Sequence, residues 1–171
     1  DLHSFPTRRS SDLFVRDYVL GWYLCRYEHS GAWEALMSRI AKPRVVVSDG
    51  GTGFRKALKK KWPKAKHQRC VFHVFSQVKR YTTSRPNTLA GLEFYALAKD
   101  LFDVKNLENS RVWVNPFTDW IIKHKRFLSE ITYDENGKAR LKHERLIKAE
   151  KSILRLLNEN TLFSVCSTIR C

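Results

Sequence analysis

Asp49 is the residue with the most chemical promise. It follows Val45-Val46-Val47-Ser48 and precedes Gly50-Gly51-Thr52-Gly53. A short run of branched apolar residues reads as a buried strand, apolar on both faces as in the middle of a sheet. In open α/β sheets, ligands bind beyond the carboxyl ends of the strands. A carboxylate emerging there can reach a metal ion without being buried itself, and the glycines behind it would leave room for a phosphate backbone. Asp-Gly is also ordinary turn chemistry, so the pair has a purely structural reading as well.

Two further groupings carry chemistry. Arg55, Lys56, Lys59, Lys60, Lys61, Lys64, Lys66 and Arg69 follow one another with no acidic residue between them. Cations of one sign repel each other, and a surface with no further duty usually mixes signs. The run therefore suits phosphate contacts, against the alternative of a solvated helix face. His67, Cys70 and His73 form His-x2-Cys-x2-His. A structural zinc site takes four ligands and no fourth is evident, which favours a buried cysteine and a hydrogen-bonded histidine over a metal centre.

The chain around these residues has 171 residues, 43% of them apolar, enough for one domain with a core. Its formal net charge of +15 attracts polyanions, nucleic acid first. No apolar run approaches the ~20 residues of a bilayer span. No secretory signal is visible, so a soluble protein of the cell interior is expected. Cys25, Cys70, Cys166 and Cys171 are too few and too irregularly spaced for a disulfide framework. His3 to Leu13 reads as a one-frame translation of a common sequencing-adapter oligonucleotide. Residues 1–13 are accordingly set aside as adapter-derived; they have no periodic apolar face and are expected to pack poorly.

The elements that would position Asp49 follow from periodicity and breakers. Tyr18–Cys25 is rich in aromatic and branched residues and reads as a strand. Ser30 suits a helix N-cap; Trp33, Leu36, Met37 and Ile40 then give a helix over 31–41, ended by Pro43. After the Val45–Val47 strand and the glycine turn, a second helix runs to Trp62 with Phe54, Leu58 and Trp62 on one side, stopped by Pro63. A short strand is expected over Lys66–Cys70. Strand and helix alternate, the pattern of an α/β fold with part of its sheet parallel. Beyond Val71 the pattern is helical. Val71, Val74, Phe75 and Val78 mark one helix, and Pro86-Asn87 introduces a second through Leu92, Tyr95 and Leu101. A third carries Trp120 and Ile121, with Pro116 near its start. Asp134–Gly137 is a turn, and a long helix carries Leu146, Ala149, Ile153, Leu154 and Leu157. The tryptophans sit mostly on apolar faces and read as core.

Several segments taken in order resemble the mutator-type insertion-sequence transposases of bacteria, in their zinc-binding variant. They are Val45 to Gly53, Trp62-Pro63, Gln68-Arg69-Cys70-Val71-Phe72-His73-Val74, Thr82-Thr83-Ser84-Arg85-Pro86, His143-Glu144-Arg145-Leu146 and Thr161-Leu162-Phe163. The resemblance implies an α/β, RNase H-like fold, present here in part: a mixed sheet with flanking helices, a mostly helical insertion, and C-terminal helices. It divides the chain into a partial catalytic core over 14–75, an insertion over 76–163 and an unassigned tail over 164–171. It implies a triad of two Asp and one Glu holding two divalent ions, Mg²⁺ or Mn²⁺. Asp49 corresponds to the second acid, and Cys70 and His73 to a Cys-x2-His signature that supports the active site. The first Asp is expected upstream of Phe14 and the Glu beyond Thr161-Leu162-Phe163. Asp17 reads instead as a turn residue, and Glu144 and Glu150 as exposed helix residues. The parent protein would cut element ends and join them to target DNA. Its partner would be double-stranded DNA, its assembly a homo-oligomer on that DNA, and its place the nucleoid of the bacterial cytoplasm. The fragment alone would be inactive. Another RNase H-like nuclease, or a non-catalytic DNA-binding remnant, stays open.

Overall fold

The computed structural model describes residues 9–15 and 18–166. Asp17, the first part of the adapter-like string (1–8) and the end of the tail (167–171) lie outside the described residues. The chain is mixed α/β and divides into two compact units, Asp1–Lys66 and His67–Cys171.

In the first unit, β1 (Arg9–Val15) pairs antiparallel with β2 (Tyr18–Cys25). Arg9 lies opposite Cys25 and Val15 opposite Tyr18, and the register slips between Leu13 and Phe14. Poor packing is the expectation for residues 9–13, yet their backbone joins a ladder, which needs only amides and carbonyls. β2 is apolar on both faces, but only one is covered. Gly21 lies beneath α1 (Ser30–Met37), where an added Cβ would come within 3.1 Å of Leu36 Cδ1 and 3.3 Å of Ile40 Cδ1. Tyr18, Leu20, Trp22 and Leu24, at alternate positions, are exposed.

α1 is capped by His29 rather than Ser30. The imidazole Nδ1 accepts the Ala32 amide at 3.3 Å, so Ser30 becomes the first helical residue. The helix stops at Met37, before Pro43 could act: the Arg39 and Ile40 amides turn to the Leu36 and Met37 carbonyls, three residues back, at 3.0 and 3.4 Å. β3 (Val45–Ser48) and α2 (Thr52–Lys61) follow. Trp33, Leu36, Met37, Val46, Phe54, Leu58 and Trp62 form one core, with Trp33 and Phe54 edge to face at 5.0 Å. Each large side chain buried this way contributes about 1.5–3 kcal/mol. The expectation of a fully buried central strand is corrected: Val46 is buried, but Val47 on the opposite face is 59% exposed. Only one face of β3 meets the helices, and alternation sends its neighbour outward.

β4 (Lys66–Arg69) carries the chain into the second unit. There α3 (Val71–Thr82), α4 (Leu89–Asp100), a 3-10 turn over Leu101–Asp103, α5 (Leu107–Leu128) and α6 (Glu144–Asn158) enclose a second core. Val74, Val78, Phe94, Leu101, Trp113, Phe117, Trp120, Ile153 and Leu162 are among its members. The two tryptophans also satisfy their indoles: Trp113 Nε1 donates to the Leu97 carbonyl at 2.9 Å and Trp120 Nε1 to that of Ala90 at 3.0 Å. Thr88 and Asn106 cap α4 and α5.

Two expectations for this unit need correction. Pro116 lies in the middle of α5, not near its start. It is exposed, as is Val112 four residues earlier, so the carbonyl deprived of its helical partner can be hydrated. The Asp134–Gly137 turn sits in a hairpin of β5 (Ile131–Tyr133) and β6 (Ala139–Leu141), so the region is not wholly helical. These strands are too short and too exposed to show a periodic pattern. Asp134 Oδ1 accepts the amides of Asn136 and Lys138, and Gly137 takes φ 73°. In α6, Glu144 is exposed as expected. Glu150 is half-buried, and that burial raises its carboxyl pKa. No helix among the described residues is long and apolar enough to cross a membrane.

Candidate functional site

Asp49 leaves the C-terminal end of β3 with its side chain exposed. Its Oδ1 accepts the Gly51 amide at 2.9 Å, and Oδ2 has no partner among the described residues. The carboxylate is thus oriented through one oxygen and open at the other. Gly50 takes φ 81°, a conformation that L side chains rarely adopt, and its amide donates to Ser48 Oγ at 3.0 Å. Gly53 lies against the start of α1: an added Cβ would stand 3.2 Å from the His29 carbonyl carbon and from the Ser30 nitrogen. Both glycines therefore have duties within the fold, whatever they also leave open for a ligand.

α2 begins directly after this turn and separates its residues cleanly. Phe54, Ala57 and Leu58 are buried. Thr52, Arg55, Lys56 and Lys59, at helical spacing, line one shallow depression of about 190 Å³. The basic run is not without counter-charge: Lys60 Nζ lies 2.6 Å from Glu34 Oε2 on α1, an acid distant in sequence that inspection of the run alone misses. Lys56, Lys59, Lys64 and Lys66 are exposed and Arg55 and Lys61 half-buried. Lys59, Lys60 and Lys61 fall in the last helical turn, where positive charge meets the negative end of the helix dipole.

Arg69, Cys70 and His73 belong to the second unit. Arg69 is half-buried, and its amide donates to the Thr161 carbonyl at 2.7 Å. Cys70 is the half-buried N-cap residue of α3, without a side-chain cap bond. His73 is exposed, its ring edge-on to Phe72 at 5.7 Å. His73 is not the hydrogen-bonded histidine of the His-x2-Cys-x2-His motif, for it makes no hydrogen bond among the described residues. These residues hold no group of three His, Cys, Asp or Glu side chains that could bind a metal ion.

The second unit also ties together segments far apart in sequence. Gln68 Nε2 donates to the Leu162 carbonyl, and Ser164 Oγ to that of His67 at 2.7 Å. Val165 N donates to Gln68 Oε1 at 3.2 Å, so the start of the unassigned tail is anchored.

The strand-end carboxylate and the basic helix behind it lie within a segment that matches a known family model. Residues 18–77 match the MULE transposase domain, in keeping with the resemblance to mutator-type insertion-sequence transposases. The chain is 25% identical over 124 residues to the transposase for insertion sequence element IS905 of Lactococcus lactis subsp. lactis (strain IL1403). That match covers 69% of this chain and 31% of the relative. It is 27% identical over 98 residues to the transposase for insertion sequence element IS6120 of Mycolicibacterium smegmatis, covering 56% of this chain and 28% of the relative. The chain thus spans under a third of the length of either curated relative it matches.

Proposed function

We propose that this chain is part of a DNA transposase of the RNase H-like, two-metal kind, with Asp49 as one of its three catalytic carboxylates. The observation that carries the reading is the position of Asp49: exposed, at the carboxyl end of β3, inside the segment that matches the MULE transposase domain. A free hard oxygen suits Mg²⁺ or Mn²⁺. A single carboxylate does not make the site, and the other acids would come from parts of the parent beyond residues 14–163. Bound there, the ions supply Lewis-acid activation of the attacking oxygen and neutralise charge on the phosphate. The chain's own residues hold the substrate: Arg55, Lys56 and Lys59 offer cations to the duplex backbone beside the carboxylate's helix. Cys70 and His73, at the start of α3, keep the supporting role that the resemblance implies, and the parent works as a homo-oligomer on element ends in the bacterial cytoplasm.

The test pairs binding with cleavage. The chain should bind duplex DNA with an affinity that falls steeply with salt. Lys56→Ala/Lys59→Ala should lower the salt slope by about two, one for each phosphate that is no longer neutralised. In the complete parent protein, Asp49→Asn should abolish Mg²⁺- or Mn²⁺-dependent cutting of a labelled element end while leaving binding nearly intact, because Asn Oδ1 can still accept the Gly51 amide. Cutting that survives Asp49→Asn means the active site lies elsewhere. Binding without cutting by the wild-type parent identifies a non-catalytic remnant instead.

A further inference from the structure

The second unit holds a cleft of about 620 Å³ between the loop joining α3 to α4 and the first turn of α6. It brings together Thr82 to Pro86 and His143 to Leu146, two segments that share the family resemblance and have no part in the Asp49 site. Arg85, Lys142 and Arg145 line it, with one carboxylate, Glu144.

The charges there are already sorted. Glu144 is paired with Lys148 at 2.6 Å, and that hydrogen bond holds its carboxyl below the usual range. Glu130 takes Lys142 at 3.0 Å and His143 at 3.2 Å. The nearby acids are thereby matched, while Arg85 has no carboxylate partner among the described residues. Arg145 is held by one guanidinium nitrogen, which donates to the Arg80 carbonyl at the end of α3. Its remaining N–H groups are available as donors, since a guanidinium carries five. The turn presenting Arg85 is itself fixed: the Arg85 amide donates to Thr83 Oγ1 at 3.3 Å, and the Thr82 hydroxyl donates to the Val78 and Thr83 carbonyls. An open cleft with two guanidinium groups in surplus over acids suits a planar-fork partner, and phosphate is the chemistry that fits it.

We propose that this cleft seats a phosphodiester of a DNA strand, gripped by Arg85 and Arg145, as a second backbone contact separate from the basic face of α2. The proposal rests on the DNA-binding reading of the chain. A free polyphosphate offers the same chemistry, and the experiment separates the two sources.

The full chain is titrated into a labelled duplex across a range of salt, as wild type, Arg85→Glu and Lys151→Glu. Lys151 is exposed on α6 and lies outside the cleft, so its variant makes the same charge change without touching the site. Arg85→Glu should weaken duplex binding on the order of fivefold near 0.1 M salt and lower the salt slope by about one. Lys151→Glu should leave both close to wild type, and thermal unfolding of Arg85→Glu should match wild type because that side chain has no acidic partner to lose. Tripolyphosphate is added as competitor: displacement of the duplex only at millimolar levels supports a strand site. Arg85-dependent binding of tripolyphosphate with unchanged duplex affinity overturns the proposal in favour of a free polyphosphate. Equal duplex binding by wild type and Arg85→Glu, or equal weakening by both variants, overturns it while leaving the DNA-binding reading standing. A wild-type chain that binds no duplex overturns both.

Discussion

Gly53→Ala separates a glycine kept for packing from one kept clear for a ligand. An added Cβ would meet the His29 carbonyl carbon and Ser30 nitrogen at 3.2 Å and His29 Cα at 3.3 Å, all backbone atoms that cannot rotate aside. Optimal carbon separations start at about 3.5 Å, so the start of α1 and the start of α2 must part by a few tenths of an ångström. Overpacking of this kind costs about 1–3 kcal/mol. Alanine recovers at most about 0.5–1 kcal/mol of helix propensity, and less in a first turn. The expected net loss is about 1–2 kcal/mol, with about 4–8 °C of Tm for each kcal/mol in a unit of this size. Gly51→Ala is the control. Its Cβ would lie 3.5 Å from Asp49 Oδ1, an ordinary contact, and its φ of −49° suits any L residue. Thermal unfolding with peptide-resolved hydrogen exchange should show lost protection in α1 and α2 for Gly53→Ala and none for Gly51→Ala. A Gly53→Ala chain as stable as wild type, or a destabilised Gly51→Ala, would refute the packing argument. Any loss of duplex binding in Gly51→Ala at unchanged stability then reports on the ligand face alone.

Pro116→Ala should stabilise the second unit by about 1–3 kcal/mol by returning an amide to the Val112 carbonyl in mid-helix, read as a rise in urea midpoint; an unchanged midpoint would mean that water already satisfies that carbonyl. Trp120→Phe removes the 3.0 Å bond to the Ala90 carbonyl together with part of the buried indole, and should cost about 1–3 kcal/mol in the same titration. Glu93 accepts hydrogen bonds from His124 at 2.6 Å and Lys123 at 2.5 Å, and these, His124 first, hold its carboxyl below the usual range. A carboxyl depressed in the folded state adds stability above its unfolded value near 4.5, and that contribution is lost as pH falls through the folded value. Glu93→Gln should therefore flatten the urea midpoint against pH below 4.5; an unchanged slope would assign acid sensitivity to other groups.

Elements with strong periodicity are legible in the sequence. The Tyr18–Cys25 strand, the Val45–Ser48 strand and the α2 helix fall where their apolar pattern puts them, and so does Asp49 at the strand end. The misreadings involve residues whose partner is not next to them in the chain. Ser30 is the better capping residue by type, yet His29 caps α1 through its imidazole. Pro116 reads as a helix start, but Asn106 provides an earlier cap and the solvent face tolerates the ring. The basic run looks uncompensated because Glu34, its counter-ion at Lys60, belongs to another helix. Gln68-Arg69 and Thr161-Leu162, far apart in the chain, are joined by hydrogen bonds that neither segment announces by itself.

The uncovered row Tyr18, Leu20, Trp22 and Leu24 governs how this chain behaves as a colloid. With a formal charge of +15, copies repel one another at low ionic strength and the sticky row does not meet its like. Salt shortens the range of that repulsion from about 10 Å at 0.1 M to about 3 Å at 1 M. The brine that strips nucleic acid from the arginines and lysines is thus also the condition under which the strands can clump. Purification by high-salt washing works against monodispersity, whereas displacing DNA with a competing polyanion at modest salt keeps the copies both clean and apart.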